Sequence, residues 1–78
     1  MNDNHLKLIK QIIGSKTGHT PQEITPDSYI EDDLNIGEME LLDILTEVDE
    51  TLETDISQNI GEIETVQDIL DLLSEEIE

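Results

Sequence analysis

Apolar residues recur at helical spacing in three stretches of the chain, separated by segments in which no period survives. In the first stretch, Leu6, Ile9 and Ile13 form a stripe that Leu8 and Ile12 widen. This spacing predicts a helix over about Asp3–Lys16. Asn2, Asp3 or Asn4 can cap its start, and Gly18 followed by Pro21 can stop it. The second stripe is Leu41, Ile44, Leu45, Val48 and Leu52, with Met39 and Leu42 on its edge; it predicts a helix over about Glu38–Leu52. The third is Val66, Ile69, Leu70, Leu73 and Ile77, helped by Leu72, in a helix beginning at Thr65. Thr65 and Asp68 have the spacing of a capping box, with Asp in place of the stronger Glu or Gln.

The intervening segments differ from each other. Residues 19–36 carry Pro21 and Pro26 and read as a long loop. Its apolar residues Ile24, Tyr29, Ile30, Leu34 and Ile36 are irregularly spaced, and are expected to plug the ends of a bundle as the loop wraps it. An ordered loop of this length is unusual in a small domain, so it is itself a clue to the fold. Residues 53–64 read as a turn region with a short helical stretch near Ser57–Ile60, ended by Gly61. The expectation is one domain over residues 1–78: an all-α, four-helix bundle with a long loop between the first and second helices and a short third helix.

Charge changes the picture most. The chain has 78 residues, of which 21 are Asp or Glu, against three lysines and no arginine, for a formal net charge of -18. The lysines are Lys7, Lys10 and Lys16, so no basic side chain is expected to offset the acidic face of the second helix. High net charge favours unfolded chains, but the helical periodicity argues against disorder. Such a surface repels nucleic acid and anionic membranes, and attracts basic protein surfaces and, loosely, divalent cations. A monomer is the expectation. Absence of cysteine excludes disulfides and thiolate metal sites. No stretch approaches the roughly 20 apolar residues of a membrane span, and no signal peptide is evident, so the expected location is the cytoplasm.

Candidate chemistry is sparse. Carboxylates are so abundant that a close pair carries little information, and neither His5 nor His19 stands in a motif with a serine nucleophile. Glu31, Asp32, Asp33, Asn35 and Gly37 resemble a run of oxygen ligands, yet no register satisfies a calcium-binding loop. Starting at Asp32 puts Gly37 at the sixth position but Leu34 and Ile36 at the third and fifth, and Asp43 at the twelfth. The chain is therefore expected to be neither an enzyme nor a dedicated metal-binding protein.

In this order and spacing, several short segments resemble acyl carrier proteins, from about Leu6 to Ile77. Ile12-Ile13-Gly14 is similar to the end of that family's first helix, and Ile24-Thr25-Pro26-Asp27-Ser28 to the start of its long loop. Glu31-Asp32-Asp33-Leu34 looks like the acidic-Asp-Leu that precedes the family's attachment site. Ile56 and Glu64-Thr65-Val66-Gln67-Asp68 resemble the entries to its third and fourth helices. Counting from Leu34, the family's Asp-Ser-Leu should fall on residues 37, 38 and 39, where this chain has Gly37-Glu38-Met39. Glu38 thus stands in place of the serine that carries phosphopantetheine. The resemblance implies a carrier-like interaction module without that cofactor. Its partners would be basic surfaces of the fatty-acid or polyketide type, met by Glu38, Met39, Glu40, Leu42, Asp43, Glu47 and Glu50. Two alternatives stand beside it: a functional acyl carrier modified at an unexpected site, with Asp27-Ser28-Tyr29 resembling the motif by letters, and a generic acidic binding or mimic protein.

Overall fold

A computed structural model describes residues 3–77. Among them, four helices make an all-helical bundle: α1 (Asp3–Thr17), α2 (Glu38–Leu52), the 3₁₀ helix η2 (Ile56–Glu62) and α3 (Val66–Ile77). A single 3₁₀ turn, η1 (Pro21–Glu23), interrupts the long loop. α2 packs against α1 and η2, and α3 against the same two elements. The predicted stripes form the core. Ile9, Ile13, Ile44, Leu45, Val48, Ile69 and Leu73 are fully buried, and Leu6, Leu8, Leu52, Leu70 and Leu72 pack against them half-buried. The candidate cap Asn2 lies outside the described residues, as does the side chain of Ile77, while Asn4 falls inside the helix.

α1 ends one residue past the expected Lys16, and Gly14 of the Ile12-Ile13-Gly14 segment does not stop it. Gly14 instead sits in the last turn and gives room for a close approach: a Cβ there would lie 2.9 Å from the carbonyl oxygen of His19. The helix closes at Gly18, whose φ of 88° suits glycine, with Gly18 N–H donating to the Gly14 carbonyl at 2.8 Å. His19 then fastens this end of the bundle. One ring nitrogen, Nδ1, is 2.8 Å from Glu23 Oε1 and the other, Nε2, is 2.7 Å from the Leu34 carbonyl oxygen.

Both of those neighbours are acceptors, so both contacts are made only by the doubly protonated ring. The Glu23 carboxylate, followed by the Leu34 carbonyl, accordingly raises the His19 pKa above its ordinary 6.5, and the His19 ring lowers that of Glu23. A raised folded-state pKa means that the contribution is complete below 6.5 and is lost as pH rises through the folded value. Thermal unfolding followed by circular dichroism should show a melting temperature that declines as pH rises above about 6.5. The His19→Gln variant should lose most of that decline; parallel profiles for the two proteins would contradict the clamp.

The long loop is held by hydrogen bonds to α3. The first turn of a helix leaves N–H groups without intrahelical partners. In α3, Val66 N–H donates to the Ser28 carbonyl at 3.1 Å and Gln67 N–H to the Pro26 carbonyl at 2.9 Å, while Ile30 N–H donates to the Glu64 carbonyl at 2.9 Å. The expected capping box forms around the same turn. Asp68 N–H donates to Thr65 Oγ1 at 3.2 Å, and Asp68 Oδ2 accepts from the N–H groups of Thr65 and Glu64. Ile24, Ile30, Leu34 and Ile36 are buried as plugs, but Tyr29 is not: it is half-exposed, and its backbone makes an isolated antiparallel bridge to Thr65. The turn region is also more helical than expected. η2 is kinked at Asn59 and continues past Gly61 to Glu62.

Candidate functional site

α2 owes its exposed face to the position of its apolar stripe. With Leu41, Ile44, Leu45 and Val48 buried and Asp49 and Leu52 half-buried, the remaining positions are left to solvent. Glu38, Met39, Glu40, Leu42, Asp43, Glu47 and Glu50 are all exposed, as expected from the sequence. Met39 is 84% exposed and Leu42 46%, so two apolar side chains stand in the open among carboxylates. One expectation needs correction. Lys16 reaches across from α1, and its Nζ lies 3.2 Å from Glu47 Oε1. Both groups are substantially exposed, so the pair is worth little stability, but Glu47 is not a free carboxylate like its neighbours.

The head of α2 has an open turn. Gly37 precedes Glu38 in extended conformation (φ −79°, ψ 174°), and no side chain caps the helix there. Leu41 N–H donates to the Gly37 carbonyl at 2.9 Å and begins the helical ladder. Glu38 and Glu40 in this first turn offset the positive end of the helix dipole.

Beside this turn lies a cleft of about 540 Å³ between the loop, α2 and the end of η2. Ile30, Ile36, Leu41, Ile60 and Ile63 supply its apolar lining, and Glu31, Asp32, Glu38 and Glu64 are its exposed carboxylates. Sequence reasoning did not find this cleft. It is made by segments about 30 residues apart, brought together by the Ile30–Glu64 hydrogen bond and the Tyr29–Thr65 bridge.

At the other end of α2, Asp49 is committed to structure. Its Oδ1 accepts from Thr54 Oγ1 at 2.6 Å and from Ile56 N–H at 2.9 Å, and its Oδ2 from Ser57 N–H at 3.2 Å. Burial pushes this carboxyl up, but the bonds from Thr54, Ser57 and Ile56 outweigh burial and hold it below its ordinary 3.8.

The serines differ in their surroundings. Ser28 is 7% exposed, and its hydroxyl is engaged with Thr25 Oγ1 at 3.0 Å and Thr25 N–H at 3.1 Å. Ser57, in the first turn of η2, donates its N–H to the Asp49 carboxylate, Ser15 is exposed within α1 and Ser74 is half-buried in α3. Among the described residues, no group of three or more His, Asp or Glu side chains is gathered to hold a metal ion. No described helix is long and apolar enough to cross a membrane. Scans against protein-family models and against curated proteins find no match to this chain.

Proposed function

We propose that this protein is a non-catalytic, acyl-carrier-like interaction module that carries no phosphopantetheine arm and docks on a basic surface of a partner protein through α2. The observation that carries this reading is the exposed face of α2, where Met39 and Leu42 stand uncovered among Glu38, Glu40, Asp43 and Glu50. Repeated negative charge along one helix steers a basic surface toward it, and two apolar side chains within that field give the encounter something to bury. The resemblance of the chain's short motifs to acyl carrier proteins makes an enzyme of fatty-acid or polyketide metabolism the expected partner. The enclosed hydroxyl of Ser28 weighs against a carrier modified at that site.

Charge reversal tests the reading, provided the positions carry no structural duty. Glu47 is paired with Lys16, and Glu76 accepts from Asp55 N–H, so neither is suitable. Asp43→Lys with Glu50→Lys lies on one face of α2; Glu62→Lys with Glu75→Lys is the matched control elsewhere. All four positions are exposed. Exposed substitutions of this kind usually change stability by under about 0.5 kcal/mol. Immobilised protein should capture such an enzyme from its own host at low salt and lose it at high salt. The α2 pair should abolish capture and the control pair should preserve it. Equal behaviour of the two pairs would remove α2 as the recognition element.

A further inference from the structure

We propose that the cleft at the head of α2 receives one aliphatic or aromatic side chain of the basic partner segment, with Lys or Arg residues on either side of it held at the acidic rim. The proposal rests on the docking reading above and adds a specificity pocket to it. Three observations carry it.

The first is the distribution of chemistry within the cleft. Ile30, Ile36, Leu41 and Ile63 are buried beneath the half-buried Ile60 and the half-exposed Tyr29, so the cleft has an apolar floor under a polar rim, and its volume of about 540 Å³ is large enough to admit a side chain. The carboxylates of Glu31, Asp32, Glu38 and Glu64 are all exposed. A ligand with an apolar end inside and an anionic end outside would meet four like charges. One with cations on either side of its apolar end meets complementary charge.

The second is the pair of glycines in the cleft wall. Neither Gly37 nor Gly61 adopts the positive φ that requires glycine, and a Cβ at either would meet no atom within 4 Å. What glycine provides at these two places is room.

The third is continuity. Glu38 belongs both to the cleft and to the exposed face of α2, and Met39 follows it directly. A segment lying along α2 therefore passes the cleft, and an apolar anchor seated in a pocket with charged groups around it is the usual form of an interface hot spot.

The test uses two fluorescein-labelled peptides, Lys-Lys-Phe-Lys-Lys and Lys-Lys-Ser-Lys-Lys, titrated with the whole chain and read by anisotropy at physiological salt. The expected result is that the Phe peptide binds about tenfold more tightly, as burial of one large side chain predicts. The Gly61→Phe variant, which fills open space, should abolish that preference by bringing the Phe peptide down to the affinity of the Ser peptide. Ile60→Gln, which is similar in bulk but makes the wall polar, should do the same. Circular dichroism identifies a variant that has lost the fold, and the other then decides. Equal affinities for the two peptides, or a preference that survives in a folded variant, would overturn the proposal. The α2 reversal Asp43→Lys with Glu50→Lys separates this from the docking reading. It should weaken both peptides in proportion and leave their ratio intact; if it leaves both affinities unchanged, docking on α2 fails, while the ratio alone still judges the cleft.

Discussion

Replacing Asp49 by alanine is expected to destabilise the fold by about 2–3 kcal/mol, measured by urea denaturation near neutral pH. The carboxylate serves three donors, and two of these, Ile56 N–H and Ser57 N–H, are first-turn groups of η2 with no intrahelical partner. Alanine strands both and also frees the Thr54 hydroxyl, which lies 2.6 Å from Oδ1. Hydrogen bonds to an ionised acceptor are worth more than neutral ones, and half-buried donors left unpaired add their own desolvation cost. In a domain of this size each kcal/mol is about 4–8 °C in melting temperature, so the change is large. Asp49→Asn keeps the shape but loses the charge, and should fall between the two. The pH dependence gives an independent check. The Asp49 pKa is depressed on folding, so its contribution is present above 3.8 and is lost as pH falls through the lower folded value. The gap between wild type and Asp49→Asn should therefore narrow in acid. A gap that does not change between about pH 7 and pH 2 would show that the ionised form is not what matters.

Asp49 also illustrates what was legible in the sequence and what was not. The three α-helices could be read because each buries a stripe at helical period, and local chemistry marks their ends: Gly18 adopts the left-handed conformation, and Thr65 with Asp68 forms the capping box. The roles of individual carboxylates could not be read in the same way. Asp49 sits among Glu47, Glu50 and Glu53, and nothing in its identity separates it from them. The available signal was Thr54 and Ser57 just past the helix end, hydroxyl-bearing residues at a turn where a nearby carboxylate can act as a cap. Lys16 and Glu47 meet only because α1 packs on α2, which periodicity places on the right faces but not in register. Gly14 falls inside the first predicted helix, and nothing in the pattern shows the His19 carbonyl folded back over it. The cleft was hidden for a related reason. Its lining comes from Ile30, Ile36 and Leu41 on one side and Ile60 and Ile63 on the other, and their meeting depends on backbone pairing between Ile30 and Glu64 that no local pattern announces. The exposed positions of α2 were legible as the complement of its stripe, apart from Asp49, which lies off the stripe and is half-buried.

The sharpest expected contrast is covalent. Incubated with coenzyme A and a broad-specificity phosphopantetheinyl transferase, the wild-type chain should keep its mass, whereas Gly37→Asp with Glu38→Ser should gain one phosphopantetheine. In that reaction a serine hydroxyl attacks the pyrophosphate of coenzyme A, a phosphodiester forms, the hydroxyl proton is lost and adenosine bisphosphate leaves. Glu38 offers no hydroxyl, and a carboxylate making the same attack would yield a hydrolysable mixed anhydride. Ser28 has the hydroxyl but is 7% exposed and bonded to Thr25, so the transferase cannot approach it without unfolding the loop. The double variant places a serine in an exposed first turn of α2, where free N–H groups and the positive dipole end favour a phosphate. Its other half is also physically easy. Gly37 is extended, a Cβ there meets no atom within 4 Å, and Asp at a helix N-cap is better than Gly by a few tenths of a kcal/mol. The variant should therefore fold as the wild type does, which circular dichroism checks. A mass gain on the wild type would refute the armless reading directly. A double variant that folds yet stays unmodified would mean that the likeness to carrier proteins ends at the short motifs and does not extend to the surface a transferase reads, and the proposed class of partner would go with it.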